Sequence, residues 1–181
     1  ESSDKVAAAA LSADGNFSVV GYDDGTVWLY GKYNSTPLWS YTADEEIGAV
    51  GISSNGSYIV AGSKDDYVYL FARNSSSPLW SYDLDGKVLA VAISADGQYL
   101  VAGSNADKIA FFARNSSTPL WVASNLPGYV DALSISDNGS YVAAGVKASG
   151  SGRVYLFHKD SPSPEWWDGV GGRINSVDIS G

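Results

Sequence analysis

The sequence predicts an all-β protein made of a repeated unit of four short strands, and three observations support this. The motif SADG at 12–15 returns as SSNG at 53–56, SADG at 94–97 and SDNG at 136–139, a repeat of 41 or 42 residues. β-Branched and aromatic residues dominate runs that are separated by Gly, Asn, Asp and Ser. No segment shows a sustained helical period. Four antiparallel strands in about 40 residues are typical of one blade of a β-propeller.

A second marker, a tryptophan near the end of each repeat, gives the strands a fixed order. It occurs at Pro37–Trp39, Pro78–Trp80, Pro119–Trp121 and Pro164–Trp166. Strand a, the innermost, is predicted at Val6–Leu11, Ile47–Ile52, Val88–Ile93, Val130–Ile135 and Ile174–Ile179. Strand b is predicted at Phe17–Tyr22, Tyr58–Ser63, Tyr99–Ser104 and Tyr141–Val146. Strand c is predicted at Val27–Tyr30, Val68–Phe71, Ile109–Phe112 and Val154–Phe157, and strand d lies around the tryptophan. The blades are therefore expected over 5–43, 46–84, 87–125 and 129–168, with the start of a fifth over 173–181.

The link between strands a and b is a short Asp-Gly or Asn-Gly pair in every repeat. The four pairs are Asp14-Gly15, Asn55-Gly56, Asp96-Gly97 and Asn138-Gly139. We expect them to form type I′ hairpin turns, whose central residues need positive φ. Strand b also has a glycine at one shared position, at Gly21, Gly62, Gly103 and Gly145. Small residues near the axis favour a propeller, because its blades converge there.

Composition and charge exclude several classes of function. The 181 residues contain no cysteine and one histidine, His158, so disulfides, thiolate metal sites, cysteine nucleophiles and multi-histidine metal sites are excluded. The net charge is −9 at pH 7, which argues against binding to nucleic acid or anionic membranes. We expect no metal site, no catalytic residue and no membrane insertion.

The order of strands also predicts a larger assembly. The chain opens on a strand a, completes four blades and ends on another strand a. An isolated arc of blades would expose apolar faces and unpaired strand edges. We therefore expect a propeller of about seven or eight blades, whose remaining blades come from missing sequence or from a second copy.

Two stretches of the chain resemble known repeats. The run VLAVAISADGQY at Val88–Tyr99, followed by LVAGS at Leu100–Ser104, resembles the blades of WD-repeat-like propellers. The run VYLFARNSSSPLWSY at Val68–Tyr82 is similar to the quinoprotein repeat. Such propellers are common in secreted and surface proteins of archaea and some bacteria, so the resemblance implies that kind of protein. The chain lacks the adjacent cysteines that many quinoprotein dehydrogenases place at their cofactor, and we expect no cofactor.

Acceptor sites for N-glycosylation are the most informative small motif. Six of the nine asparagines precede x-Ser or x-Thr, the pattern that oligosaccharide transfer requires. They are Asn74, Asn115, Asn34, Asn16, Asn55 and Asn138. Turn chemistry copied by duplication accounts for the Asn-Gly-Ser sites Asn55 and Asn138, whereas nothing requires asparagine at the c–d loop sites Asn34, Asn74 and Asn115, of which Asn74 and Asn115 are the best candidates. We expect at least one site to carry a glycan, which implies export.

Polar residues on the innermost strand define a candidate axial site. Asp131 in blade four corresponds to Asn175 in the next repeat, and Asp178 corresponds to Ser134. Side chains on this strand face the axial channel, where ligands or ions bind in many propellers; the alternative is a channel lined by solvated polar groups.

Other polar residues have simpler interpretations. The acidic pairs Asp23-Asp24 and Asp65-Asp66 are interpreted as solvated turn residues, because a calcium loop needs a different spacing. His158 is interpreted as a residue at a strand edge. The tryptophan of each strand d is expected to pack between blades, whereas Trp28 and Trp167 depart from the repeat and are candidates for exposed aromatic contacts.

Three functions compete on these grounds. The first is a non-catalytic, glycosylated module for interaction or structure in an extracellular or cell-surface protein, with a protein, a second copy or glycans as its partner. The second is a fragment of a quinoprotein-like propeller enzyme, and the third is an intracellular WD-like scaffold. Four observations favour the first: the blade pattern, the acidic charge, the acceptor sites and the lack of a nucleophile–base set.

Overall fold

The computed structural model describes residues 5–180, which form sixteen β-strands in four separate four-stranded antiparallel sheets. Blade one contains β1 (Val6–Leu11), β2 (Phe17–Tyr22), β3 (Thr26–Gly31) and β4 (Trp39–Thr42). Blade two contains β5 (Ile47–Ile52), β6 (Tyr58–Ser63), β7 (Tyr67–Ala72) and β8 (Trp80–Asp83). Blade three contains β9 (Val88–Ile93), β10 (Tyr99–Ser104), β11 (Ile109–Ala113) and β12 (Trp121–Ala123). Blade four contains β13 (Gly128–Ile135), β14 (Tyr141–Ala148), β15 (Ser151–His158) and β16 (Pro164–Val170).

Each sheet pairs its four strands in chain order, so every blade is a simple meander. The all-β propeller prediction is confirmed, and strands a and b of the first three blades have the predicted bounds. Blade four differs, because its b–c hairpin extends through the pairs Lys147↔Gly152 and Ala148↔Ser151. Residues 5–180 contain no helix long and apolar enough to cross a membrane.

The predicted fifth inner strand, Ile174–Ile179, occupies the expected place without a strand partner. Residues 173–180 do not form a β-strand, because no strand within residues 5–180 forms a hydrogen-bonded ladder with them. Ile174 nevertheless packs over Gly145 as Ile47 packs over Gly21. The segment therefore follows the path of an inner strand, and the strand prediction needs this correction.

The a–b turns differ from the predicted type I′ geometry. Gly15, Gly56, Gly97 and Gly139 have positive φ of 66° to 71°, but the Asp or Asn before each of them does not. In blade one the Gly15 N–H donates to the Ser12 carbonyl at 2.9 Å, which places Gly15 at the last position of a four-residue turn. The Asp or Asn is needed for its side chain rather than for its backbone conformation.

A buried serine organises each of these turns. The hydroxyl of Ser12 donates to Asp14 Oδ1 at 2.6 Å and accepts the N–H of Phe17 at 3.0 Å. Asp14 Oδ1 also accepts the N–H of Asn16 at 3.0 Å. Ser53, Ser94 and Ser136 make the same pair of contacts in the other blades. The serine therefore satisfies the buried polar groups of the turn.

The hydrophobic core is divided among the contacts between successive blades, which we call joints. The first joint packs Val19, Val27 and Leu29 of blade one against Ile47, Ile59, Tyr69 and Phe71 of blade two. Equivalent clusters fill the second and third joints. We call the face of a blade that points to the next blade its forward face, and the opposite face its rear face.

Every strand a contains a β-bulge at one shared position. The pairing register shifts around Ala7, Gly48, Leu89 and Asp131, the second residue of the repeated inner-strand pattern. A bulge re-aims the side chain of the extra residue. The direction of the Asp131 side chain is therefore set by a bulge that all four blades share.

Candidate functional site

The tryptophan of strand d fastens each joint with one hydrogen bond. The indole Nε1–H of Trp39 donates to the carbonyl of Arg73 in the next blade at 2.7 Å, and Trp80 donates to that of Arg114 at 2.8 Å. Trp121 donates to the carbonyl of Lys159 at 2.8 Å. Each indole also packs beside a strand c phenylalanine of the next blade, with ring centroids 5.2 to 5.6 Å apart. The strand d tryptophans are therefore joint residues, as the sequence predicts.

A cation closes the first two of these joints at the level of the a–b turn. The Arg73 guanidinium lies 4.6 Å from the ring centroid of Phe17, and that of Arg114 lies 4.3 Å from Tyr58. The glycine of the next blade's turn lies beneath the same ring: a Cβ added to Gly97 would come within 2.7 Å of Tyr58 Cδ2. One residue thus supplies both a carbonyl for the indole and a cation for the ring.

The two outer faces of the molecule carry joint residues that have no neighbouring blade within residues 5–180. On the forward face of blade four, Tyr141 is 42% exposed and Trp166 is 51% exposed. On the rear face of blade one, Val6 and Leu11 are 59% and 65% exposed. These two faces are therefore candidate interaction surfaces.

Five inner segments surround the axial cavity. Its volume is about 310 Å³, and it is lined by matching positions of the four inner strands and by residues 175–177. The lining is mostly alanine, valine and leucine, and Asp131 and Asn175 are among its polar members. Most of the surface that the cavity exposes is nevertheless polar, so it is an open, polar cavity rather than an apolar channel.

The predicted axial residues Asp131 and Asp178 both hold segment 173–180 against blade four. The Asp131 carboxylate accepts the Arg173 Nε–H at 3.0 Å, and its side chain is only 9% exposed. Asp178 Oδ1 accepts the Ser134 hydroxyl at 3.2 Å. The structure brings Asp131 and Asn175 to one cavity, and it gives both carboxylates a structural partner. A ligand-binding role for them stays a prediction.

The two tryptophans singled out by the sequence lie in different environments. Trp28 is half-buried on the rear face of blade one, between Tyr22 and Tyr30 at centroid distances of 5.1 and 6.0 Å. Burial raises the pKa of Tyr30 to about 12, with a further contribution from the Tyr22 hydroxyl. Trp167 is 53% exposed, and the Arg153 guanidinium lies 4.6 Å from its ring centroid.

The acceptor asparagines are all exposed, but their side chains have different hydrogen-bonding roles in their turns. Asn16 donates from Nδ2 to Asp14 at 2.9 Å, and Asn55 and Asn138 take the place of Asp14 in their own turns. Asn34 Oδ1 accepts the Thr36 N–H at 2.9 Å, which is the role that the Ser75 and Ser116 hydroxyls have in the next blades. Asn34 therefore has a turn role that the sequence did not reveal, and Asn74 and Asn115 occupy the preceding loop position, where Tyr33 lies in blade one.

The acidic pairs and His158 occupy turns and an edge. Asp24 accepts the Thr26 N–H, and Asp65 accepts the Tyr67 N–H and the Tyr69 hydroxyl. Burial and the Asp65 hydrogen bond raise the pKa of Tyr69 above its ordinary value. His158 lies beside the Tyr141 ring at 5.3 Å. Within residues 5–180, no group of three or more His, Asp or Glu side chains is arranged to hold a metal ion.

The pairing of residues across joints was missed by sequence reasoning. Each tryptophan and its carbonyl partner are 34 or 38 residues apart. The two partners therefore stand at the same two positions of the repeat in every joint. A signal was present, because a cation follows strand c in each blade as Lys32, Arg73, Arg114 and Lys159. Its recurrence at a fixed distance from the tryptophan could have identified the joint.

Comparison with known proteins agrees with this architecture. The family described as "WD domain, G-beta repeat" matches residues 35–71 and 77–112. Each matched span begins in a c–d loop and ends in strand c of the next blade, so it contains strand d of one blade and strands a, b and c of the next. No curated protein matches the sequence.

Solved structures of propellers superpose on nearly the whole chain. One is a chain of "Crystal Structure of Mitotic Checkpoint Complex", with TM-score 0.85 and 19% identity over 97% of this chain and 56% of that chain. Another is Kuenenia stuttgartiensis hydrazine synthase, with TM-score 0.81 and 12% identity over 92% of this chain and 49% of that chain. The chain thus spans about half the length of these two chains. At such identities the likeness shows the fold alone.

Proposed function

We propose that this chain is a non-catalytic interaction or structural module of an extracellular or cell-surface protein, and that it carries N-linked glycans at Asn74 and Asn115. The observation that carries this proposal is the use of its polar side chains. The repeated serines, including Ser12 and Ser94, are buried in turns and hydrogen-bonded there. These serine hydroxyls are thus part of the scaffold and are not free to act as nucleophiles.

The two c–d loop asparagines support export. Asn74 and Asn115 are exposed, at a position where Tyr33 occupies the same place in blade one. The turn therefore does not require asparagine there, whereas Asn34, Asn55 and Asn138 serve their turns. An acceptor motif at an exposed position without a turn role favours a modification site.

Mass spectrometry of the protein from its own cells tests this function. We expect a mass above that of the sequence, reduced by single Asn74→Gln and Asn115→Gln substitutions. Asn55→Gln is the matched control and should leave the glycan mass unchanged. On intact cells, a membrane-impermeant amine reagent should label the exposed lysine Lys32. Bare chain mass together with an unlabelled protein would point to the intracellular scaffold instead.

A further inference from the structure

The lysines in the b–c turns of blades two and three each have a carboxylate partner. Lys64 Nζ lies 2.5 Å from Glu46 Oε2, which precedes the inner strand of the same blade. Lys108 pairs with Asp85, in the link between blades two and three. At these positions the repeat therefore places ion pairs on the surface.

Blade four has the lysine of this arrangement but lacks the carboxylate. Lys147 lies opposite Tyr129 in the strand register, as Lys64 lies opposite Glu46 in blade two. Within residues 5–180, Lys147 forms no ion pair. Tyr129 is 47% exposed. A charged ammonium and an accessible aromatic side chain therefore stand side by side at a place where the repeat has an ion pair.

The longer b–c hairpin of blade four forms one wall of a cleft at this place, which we call the third-joint cleft. Its volume is about 300 Å³, and it lies between that hairpin and Asp107 in the b–c turn of blade three. A Cβ added to Gly128 would come within 1.9 Å of the Lys147 carbonyl oxygen, so the glycine lets the start of β13 lie directly against the hairpin. Both walls belong to blades three and four, and the cleft therefore does not depend on any blade beyond them.

Four polar side chains line the third-joint cleft with open hydrogen-bonding groups. They are Asp107, Tyr129, Lys147 and Ser149, and none of their side chains makes a hydrogen bond within residues 5–180. Asp107 is half-buried, and although its charge is opposite to that of Lys147 the two form no ion pair. The cleft thus offers a ligand an ammonium donor, a carboxylate acceptor, two hydroxyls and an aromatic ring.

We infer that the third-joint cleft binds a sugar that carries a carboxylate, a hexuronic acid. The Lys147 ammonium donates to the sugar carboxylate, the two oxygens of Asp107 accept neighbouring ring hydroxyls, and the Tyr129 ring packs against the C–H groups of the sugar. The volume suits one sugar ring at the lower end of the range for ligand sites. This binding requires neither export nor glycosylation of the chain, so it goes beyond the proposed function.

The other ligand classes fit these groups less well. A neutral sugar would leave the Lys147 ammonium without a partner. A carboxylate side chain of a peptide would bring a second negative charge near Asp107 without a hydroxyl to donate to it. Polyanions are disfavoured because the net charge of the protein is −9 at pH 7.

An NMR titration of the protein with methyl β-D-glucuronide tests the inference. We expect a dissociation constant of about 1 mM, the usual strength of a small contact area. Methyl β-D-glucoside has the same ring without the carboxylate, and N-acetylglutamate amide has a carboxylate without the ring. Each should bind at least about tenfold more weakly. Equal binding of the glucoside would overturn the role of Lys147, and equal binding of the glutamate derivative would make this a site for acidic peptides and overturn the inference.

Substitutions at the cleft test each contact separately. Tyr129→Glu restores the pair that Glu46 and Lys64 form in blade two, so it should abolish glucuronide binding and leave the melting temperature close to that of the wild type. Lys147→Gln should weaken binding by about tenfold, whereas Lys64→Gln, the matched control in blade two, should leave it unchanged. Asp107→Asn should weaken binding several-fold, because an amide has one acceptor oxygen instead of two. Stronger binding by Asp107→Asn would show that this carboxylate only repels the ligand, which would overturn the inference.

The amide chemical shifts in the same titration locate the binding site. Glucuronide should shift the amides of residues 128–129 and 147–149 and that of Asp107. No saturable shift up to about 20 mM glucuronide, or shifts confined to the axial cavity around Asn175, would overturn the inference. Protein produced without glycans is used throughout. A chain that binds glucuronide but carries no glycan in its own cells would therefore contradict the proposed function alone.

Discussion

At the scale of single residues, the a–b turn shows why the sequence alternates Asp and Asn. Asp14 and Asn55 accept the same two hydrogen bonds, one from a serine hydroxyl and one from a backbone N–H. Both residues present a side-chain oxygen at that place, so either one satisfies the turn. The sequence predicted the turn and its glycine correctly, but it could not show that only the glycine has positive φ.

Substitution of Asp14 separates its charge from its hydrogen-bonding role. Asp14→Asn should melt close to the wild-type temperature at neutral pH, because asparagine has this role in blades two and four, whereas Asp14→Ala should melt lower. Hydrogen bonds from the Ser12 hydroxyl and from Asn16 lower the pKa of Asp14 below 3.8. Its stabilisation is therefore present above the unfolded-state pKa and is lost as the pH falls through the lower folded-state pKa.

Thermal melts followed by circular dichroism across the acidic range measure this effect. Other carboxylates titrate alike in both proteins, so the difference between wild type and Asp14→Asn isolates Asp14. Wild type should lose stability relative to Asp14→Asn as the pH falls below about 4. A constant difference between the two proteins across that range would contradict the assignment.

A second substitution isolates the packing of a turn glycine against the preceding blade. Gly15 and Gly97 have φ of 66° and 68°, so Gly→Ala has a similar backbone cost at both. Only Gly97 lies under a ring, with Tyr58 Cδ2 2.7 Å from an added Cβ. Gly97→Ala should therefore destabilise the dilute chain by about 1–3 kcal/mol more than Gly15→Ala. If both variants lost the same free energy of unfolding in urea, the Tyr58 ring would have to move aside at no energetic cost.

At the scale of elements, the repeat determines strands better than it determines contacts. A period of 41 residues with fixed markers placed strands a and b of the first three blades within their observed bounds. The longer b–c hairpin of blade four was missed, because its extra residues, such as Ser149 and Gly150, are turn formers that do not themselves indicate pairing. The bulge at Asp131 was also missed, because a shift in strand register has no signature in the types of the residues around it.

The joint tryptophan is the element-scale feature with the clearest energetic consequence. Trp80→Phe removes the N–H that donates to the Arg114 carbonyl at 2.8 Å and part of the ring beside Phe112. We expect the free energy of unfolding to fall by about 1–2 kcal/mol, the range for one hydrogen bond plus lost packing. Chemical denaturation monitored by circular dichroism measures it.

Trp167→Phe is the matched control for that experiment. Trp167 is 53% exposed and donates to no carbonyl of another blade within residues 5–180, so its substitution should leave the free energy of unfolding nearly unchanged. A loss as large as that of Trp80→Phe would mean that the indole contacts, rather than the joint hydrogen bond, determine the effect.

At the scale of the whole molecule, the candidate site was harder to predict than the fold. The axial cavity follows from the propeller architecture, and Asp131 and Asn175 do line it. Arg173, which pairs with Asp131, could not be identified, because the pair links residues 42 positions apart through a segment without a ladder. Joints depend on matching faces of different repeats, and their signal in the sequence is slight, a cation that recurs at a fixed distance from the tryptophan.

Stability should vary along the molecule, because each blade contacts only its neighbours. In such repeat arrays the stability of a unit depends on the number of its interfaces. Blades two and three each have two joints, and five of the six residues in both β6 and β10 are buried. In β2 only two of six are buried, while in β14, which segment 173–180 covers, five of eight are buried.

Hydrogen exchange of the dilute, monomeric chain measures this gradient. Amides of β6 and β10 should exchange slowest, those of β14 faster, and those of β2 fastest, because locally unfolding an end blade disrupts a single joint. Adding the Trp80→Phe substitution should speed exchange in β6 and β10 together, since it weakens the joint that they share. Exchange at one common rate in all four strands would mean that the chain opens only by global unfolding, and the joints would then act as a single cooperative core.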